Sequence, residues 1–266
     1  RFKHLCRCSK ERKGLMSVES TDDWNLHWER YAPSAEINPA QKYRRDLVLQ
    51  ALSKCQQDRF LDIGSGQGDL CSIVQAVFPK SEIRGLELSE VGVREAQKKV
   101  PRGMFLQRDL TEVVPVPADW GAWATVAVCS EVLEHVDDPG SFLQAVAPFL
   151  AANAKLVVTV PAGPMSAFDR HIGHRRHFTP DSLSHVAAEG GFKVKSICSA
   201  GFPFMNLYKL IVILRGKKLI QDVAQEQGAS ASWLARVLMR IFSTLFHFNL
   251  SQSPWGWQLV AVLEKN

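Results

Sequence analysis

Long apolar runs are missing from this 266-residue chain. No uninterrupted stretch reaches the ~20 residues that a helix needs to cross a bilayer. The charged first turn of the sequence is not followed by the short apolar core of a secretory leader. Cysteine is sparse, six in all. Cys6 and Cys8 are too few and too close for a zinc site, and Cys55, Cys71, Cys129 and Cys198 are scattered through apolar segments, where a thiol usually serves as core filler. A disulfide framework is therefore not expected, and a reducing compartment, the cytoplasm, is. An excess of one charge is lacking too. The formal +5 is carried by residues 1–13, where Arg1, Lys3, Arg7, Lys10, Arg12 and Lys13 face only Glu11. The remaining chain is neutral, which argues against a nucleic-acid partner. No internal repeat is visible.

What is present suits a catalytic domain. With 46% hydrophobic residues a chain of this length buries a full core. Residues 1–15 read as a basic arm, either disordered or non-native, and Met16 as the natural start is one of the readings that fit. From Pro39 a helical pattern runs through Tyr43, Leu47, Val48, Ala51 and Leu52. Strand and helix signals then alternate in a βαβ rhythm. Strands are expected near 59–63, 82–88, 103–107, 123–129 and 154–160, and helices near 68–78, 90–99 and 140–150. Phe192–Cys198 and Gln258–Glu264 alternate like two further strands. Between them nearly sixty residues form an apolar, helical insertion, 201–256. Within it, Phe204–Leu214 is almost unbroken apolar sequence, and Trp233–Leu250 reads as an amphipathic helix with Arg236 and Arg240 one turn apart. A lid, a dimer face, a substrate wall or a contact with a membrane surface all fit such a segment.

The most informative string lies between a short apolar strand and a helix: Asp62-Ile63-Gly64-Ser65-Gly66-Gln67-Gly68. Glycine lets the backbone turn sharply and approach a ligand closely. Glu87 follows at the tip of the next strand, before Leu88, where a carboxylate can accept both hydroxyls of a ribose. The spacing is G-x-G-x-G behind an acid, not the dinucleotide G-x-G-x-x-G. Asp62 would repel a pyrophosphate but can hold the loop and, through water, an amino-acid ammonium.

On these residues the chain resembles the class I S-adenosylmethionine-dependent methyltransferases, and is similar to their ubiquinone-biosynthesis O-methyltransferase-like group. The resemblance implies an α/β, Rossmann-like fold: a seven-stranded, mostly parallel sheet with an antiparallel last strand and helices on both faces. The methyltransferase domain would span 16–200 and 257–266, with 201–256 inserted. It implies S-adenosyl-L-methionine as cofactor, Asp109 accepting the adenine amino group, and Leu110 packing on the purine. Ser130 and Glu131 would pass the methionine part. Trp24, Trp28 and Tyr31 would fold over the cofactor, with Arg44 or Arg45 neutralising its carboxylate.

Two constellations offer chemistry. In Glu131-Val132-Leu133-Glu134-His135, positions i, i+3 and i+4 share a face if a helix begins there. Related metal-dependent enzymes carry a similar E-x-x-E-H string, so Glu131, Glu134 and His135 are candidate ligands for Mg²⁺, although no metal is favoured. The second follows the fifth expected strand, Phe168-Asp169-Arg170-His171-Ile172-Gly173-His174-Arg175-Arg176-His177-Phe178-Thr179. It lies at the carboxyl edge of the sheet, where substrates bind in such folds. His171, His174 and His135 are the candidate bases, and the arginines are candidates for an acidic substrate group. Asp169 would otherwise pair an arginine, and Thr179 would cap a helix starting at Pro180. The expected reaction is methylation of a hydroxyl on a partly apolar or lipid-linked small molecule by a monomer or homodimer, with peripheral membrane contact as a further expectation. Metal-assisted RNA ribose methylation and a non-catalytic cofactor-binding scaffold are the alternatives.

Overall fold

A computed structural model describes residues 38–225 and 233–266, apart from residue 113. The expectations for the arm at 1–15, for Met16, and for Trp24, Trp28 and Tyr31 lie outside the described residues.

The short apolar stretches of the sequence become the centre of a seven-stranded sheet in the order β3-β2-β1-β4-β5-β7-β6. The strands are β1 (Arg59–Ile63), β2 (Glu82–Glu87), β3 (Met104–Gln107), β4 (Ala124–Ser130), β5 (Leu150–Pro161), β6 (Phe192–Ala200) and β7 (Gln258–Lys265). The first five pair in parallel. β7 runs antiparallel between β5 and β6, with Val158 opposite Ala261 and Ile197 opposite the same residue. This is the expected Rossmann-like α/β sheet with an antiparallel end.

Successive side chains of a strand point to opposite faces, and the core divides accordingly. Leu61, Ala127, Leu156 and Val158 enter one buried cluster. Their neighbours Phe60, Val126 and Val157 enter the other. The first cluster is closed by α4 (Pro139–Val146) and α6 (Pro180–Glu189), through Phe142, Leu143 and Leu183. The second is closed by α1 (Pro39–Leu52) and α2 (Asp69–Val77), through Val48, Leu52, Cys71 and Val74. Between β2 and β3 runs α3 (Glu90–Lys99), started by Ser89, whose hydroxyl accepts the Gly92 N–H at 3.1 Å. Basic Lys98 and Lys99 in its last turn suit the negative end of the helix dipole.

Two helix boundaries differ from expectation. The helix sought near 140–150 ends at Val146, because Pro148 has no N–H to continue it, and a 3₁₀ turn at Ala147–Phe149 hands the chain to β5 at Leu150. Trp233–Leu250 is not one helix: α8 (Trp233–Leu245) gives way to a 3₁₀ turn, Phe246–Phe248. Before it, α5 (Ala167–His171) is a single short turn, and α7 (Phe204–Gln225) is broken at Gly216, whose φ of 49° and ψ of −127° are non-helical.

A third, smaller cluster joins α1 to the segment between β6 and β7. Ala40, Met205, Phe242 and Phe246 are buried there against Tyr43 and Tyr208. Rings meet edge-on, with Tyr208 and Phe246 centroids 5.8 Å apart at 89°. This packing fixes Arg44 on α1 and Lys209 on α7 relative to the carboxyl ends of β4 and β5.

Candidate active site

At the carboxyl end of β1 the chain must reverse into α2 within five residues. Gly64, Gly66 and Gly68 adopt φ of 73°, 52° and 76°, the left-handed region where a side chain is strained. There is no room either. A Cβ on Gly64 would stand 2.5 Å from Val132 Cγ2, and one on Gly68 would meet the Ala96 backbone at 2.9 Å.

The loop is tied to β2. Gly64 and Ser65 N–H groups donate to the Leu86 carbonyl at 2.8 and 3.0 Å. Glu87, 5% exposed, receives the Gly66 N–H on Oε2 at 2.8 Å and the Ser89 N–H on Oε1 at 2.9 Å. Each carboxylate oxygen has roughly two lone-pair positions, so one backbone bond does not by itself saturate either oxygen. Ser65 contributes a buried hydroxyl with no hydrogen-bond partner. Leu88 is 42% exposed beside it.

Asp62 lies beneath the loop, 3% exposed. It accepts a hydrogen bond from the Cys71 thiol at 3.3 Å. Burial pushes its carboxyl up to about 7, and Glu87 adds to the rise while the thiol opposes it. At the end of β3, Asp109 Oδ1 accepts both the N–H and the hydroxyl of Thr111, at 2.8 and 2.6 Å, an Asx turn. Leu110 is 7% exposed and belongs to the core cluster.

The E-x-x-E-H string does not form the helix that would put its three side chains on one face. Glu131 takes φ 58°, an uncommon conformation for a non-glycine residue. The next helix starts only at Pro139, capped by Asp138. Glu131 consequently turns away from its partners. Its Oε1 accepts from Thr159 Oγ1 at 3.2 Å and Gln258 Nε2 at 2.8 Å, and its Oε2 lies 3.4 Å from Arg44. Ser130 bonds the same Thr159 hydroxyl at 2.7 Å. Arg45 is elsewhere, 3.6 Å from Asp69.

Glu134 and His135 point the other way, toward the histidine loop. The His135 and His174 rings meet edge-on at 4.7 Å. His174 Nε2 is 3.9 Å from the Glu134 carboxyl, and its Nδ1 lies 3.4 Å from His177 Nε2. His177 is oriented by the Gly163 carbonyl at 3.0 Å and stands 3.6 Å from Asp169. Asp169 does not pair an arginine. It closes a capping box with Ser166, at 2.7 and 2.9 Å. His171 is exposed at the end of α5, its ring 6.5 Å from that of Phe168. Of the arginines, Arg175 and Arg176 both bind Asp137, the latter through its carbonyl at 2.7 Å, and Arg170 reaches the Ser166 carbonyl at 3.5 Å. Thr179 caps α6 as expected, accepting the Ser182 N–H at 3.2 Å.

Electrostatics separates the roles. Glu134 is fully buried, its carboxyl oxygens have no hydrogen-bond partner, and burial and then Glu131 push it well above the carboxylate range. Burial, then His135 and His177, press His174 down to about 2. Lys209 reaches in from α7 to the Ala162 carbonyl at 3.3 Å and is lowered by its own burial. Two groups among the described residues bring potential metal ligands within 4.8 Å of one another: Glu134, His135 and His174, and Asp169, His174 and His177. Glu131, the third candidate ligand from the sequence, is in neither group. Lys209 and Arg44 already bring positive charge to this region.

His177, Lys209, Thr159 and Gln258 were not among the site residues expected from the sequence. Lys209 had a signal, a lone cation interrupting the apolar run Phe204–Leu214, and a buried lysine needs acidic neighbours. Gln258 had none, since it arrives from β7.

The sheet order, the glycine loop at the end of β1 and the acid at the end of β2 together define a class I S-adenosylmethionine-dependent methyltransferase domain. The pattern of the family described as "Methyltransferase domain" matches residues 26–197, and the chain belongs to that family. It is 25% identical over 183 residues to a probable S-adenosylmethionine-dependent methyltransferase of Mycobacterium tuberculosis (strain CDC 1551 / Oshkosh), covering 65% of this chain and 63% of the relative. The match thus spans under two thirds of that relative's length. A ubiquinone biosynthesis O-methyltransferase of Aeromonas salmonicida (strain A449) is 22% identical over 222 residues, 77% of this chain and 91% of the other. The solved geranyl diphosphate C-methyltransferase of Streptomyces coelicolor A3(2), in complex with Mg²⁺, geranyl diphosphate and S-adenosyl-L-homocysteine, shares the fold. Its TM-score is 0.54 at 11% identity, with 85% of this chain and 79% of that one covered.

Proposed function

We propose that the protein transfers the methyl group of S-adenosyl-L-methionine to a hydroxyl on a partly apolar small molecule, with His135 as the base. One observation carries the reading. His135 sits on the turn whose Val132 side chain packs against Gly64 of the cofactor loop, so the base and the methyl donor share a wall.

The fit of the cofactor rests on the bare glycine cradle, on the two held oxygens of Glu87, and on the buried Ser65 hydroxyl. Bound there, the cofactor supplies an electrophilic methyl on a sulfonium sulfur. Glu87 holds the ribose hydroxyls, Asp109 the adenine amino group and Leu110 the purine face. Asp62 meets the ammonium through water, and Ser130 and Glu131 flank the methionine part. Arg44, now paired with Glu131, binds the methionine carboxylate. Alignment of the reacting groups is worth up to roughly 7–11 kcal/mol.

His135 takes the hydroxyl proton. His174 is a poor base because a group near 2 cannot retain a proton at neutral pH. It acts instead as a neutral positioning residue that orients His135 through the edge contact. His171, exposed at the end of α5, is assigned no role in this reading. We place the protein in the cytoplasm, with residues 16–200 and 257–266 as the catalytic domain. The relatedness to an O-methyltransferase supports a hydroxyl acceptor.

The test uses radiolabelled methyl donor with an organic extract and, separately, with total RNA from the source cells. Label should enter the organic extract, and His135→Ala should lower its rate about a hundredfold or more with unchanged donor affinity by calorimetry. Label in RNA, or a wild-type rate in His135→Ala, rejects the proposal.

A further inference from the structure

The segment between β6 and β7 combines exposed apolar side chains with a one-signed charge. From 201 to 256 it carries Lys209, Arg215, Lys217, Lys218, Arg236 and Arg240 against only Asp222 and Glu226. The stretches 201–221 and 227–256 contain no acid at all. Elsewhere beyond the first thirteen residues acids outnumber bases, so this segment departs in sign from the rest of the chain.

The helices sort these residues by face. At about 100° per residue, Leu210 and Leu214 lie roughly 100° and 140° round α7 from Lys209, which faces the active site. They are 42% and 77% exposed. On α8 Trp233, 70% exposed, lies opposite buried Phe242 with Arg236 and Arg240 beside it, and Ile241, 50% exposed, lies about 100° from Phe242. An outward tryptophan beside arginines suits the boundary between headgroups and acyl chains. No helix among the described residues is long and apolar enough to cross a membrane.

We propose that this face of α7 and α8 docks the protein on an anionic lipid surface, its apolar side chains entering the headgroup boundary while the basic residues meet lipid phosphates. The charge chooses the occupant. A second copy of this chain would bring the same basic residues against themselves, whereas an anionic surface neutralises them. Because Lys209 on the inner side of α7 reaches the Ala162 carbonyl at the carboxyl edge of the sheet, docking would bring the lipid surface to the far side of the helix that walls the site. The inference goes beyond the proposed reaction and does not depend on it.

The experiment is co-sedimentation of the full chain with vesicles of phosphatidylglycerol and phosphatidylcholine in equal parts, and of phosphatidylcholine alone. Binding is expected to the anionic vesicles, weakening with added salt. Arg236→Glu with Arg240→Glu should reduce it about tenfold or more. Leu214→Ser with Trp233→Ser should reduce it comparably, since the apolar contact is shared. Calorimetry with S-adenosyl-L-methionine checks that each variant is folded, and failure there alone would bear on the cofactor site and not on docking. No binding to anionic vesicles, equal binding to phosphatidylcholine alone, or wild-type binding by both double variants would overturn the proposal. So would a vesicle-free dimer, seen by light scattering, that Leu214→Ser with Trp233→Ser dissolves.

Discussion

Replacing Glu87 by glutamine should loosen the cofactor loop and weaken cofactor binding together. The two carboxylate oxygens accept the Gly66 N–H at 2.8 Å and the Ser89 N–H at 2.9 Å in a site only 5% exposed. An amide retains one acceptor and turns an NH₂ toward the other N–H, so one charge-assisted bond is lost and a buried donor is left facing a donor. With bonds to charged groups worth ~1.5–3 kcal/mol and unmet buried donors a similar amount, a loss of about 3 kcal/mol is expected. For a chain of this size that lowers Tm by about 6–12 °C. Losing the charged contacts to the ribose hydroxyls should weaken S-adenosyl-L-methionine binding about tenfold to a hundredfold. Thermal melting of the free protein and calorimetry with the cofactor measure the two effects separately. An unchanged Tm would refute the tie between Glu87 and the loop. An unchanged Kd would refute its contact with the ribose.

Asp62 gives a pH signature. Its folded carboxyl, raised by burial to about 7 from 3.8, keeps a proton that the unfolded chain releases, so wild-type stability falls as pH rises between these values and levels above 7. Asp62→Asn removes that slope, worth up to about 4 kcal/mol, and its Tm relative to wild type should rise from pH 5 to pH 8; an equal offset at both would contradict the burial argument. Metal removal should do little, because Lys209 and Arg44 already bring positive charge to the carboxylates of the site. Turnover is expected to survive dialysis against EDTA. A loss that Mg²⁺ or Zn²⁺ restores would instead assign a metal to Glu134, His135 and His174.

The sheet was legible because its strands are short apolar runs punctuated by glycine loops, a signal local to each segment. The glycine loop and Glu87 were legible for the same reason: the backbone constraint and its partner are about twenty residues apart and always adjacent in parallel β1 and β2. The catalytic region was only partly so. The string Glu131 to His135 fits a helical face on paper, yet the left-handed backbone at Glu131 splits it, sending Glu131 to Arg44 and Gln258 while Glu134 and His135 go to His174. That split depends on β7 and α1, which no local pattern announces. Sequence also ranked His171 beside His174, since spacing in a loop says nothing about burial; only the fold shows one exposed and the other packed against His135.

The position of β7 has a consequence during synthesis. β5 ends at Pro161 and β6 at Ala200, but the strand that must lie between them begins only at Gln258. At translation rates of about 5–20 residues per second, the ribosome takes roughly 5–20 s to deliver that strand after β5. Throughout that interval one side of the apolar β5 offers unpaired backbone groups, the condition in which strands join the wrong partner. Meanwhile the whole segment carrying α7 and α8 emerges before the sheet can close behind it. Completion of this edge of the sheet, including the Gln258 bond to Glu131 at 2.8 Å, therefore waits until the whole segment between β6 and β7 has been made.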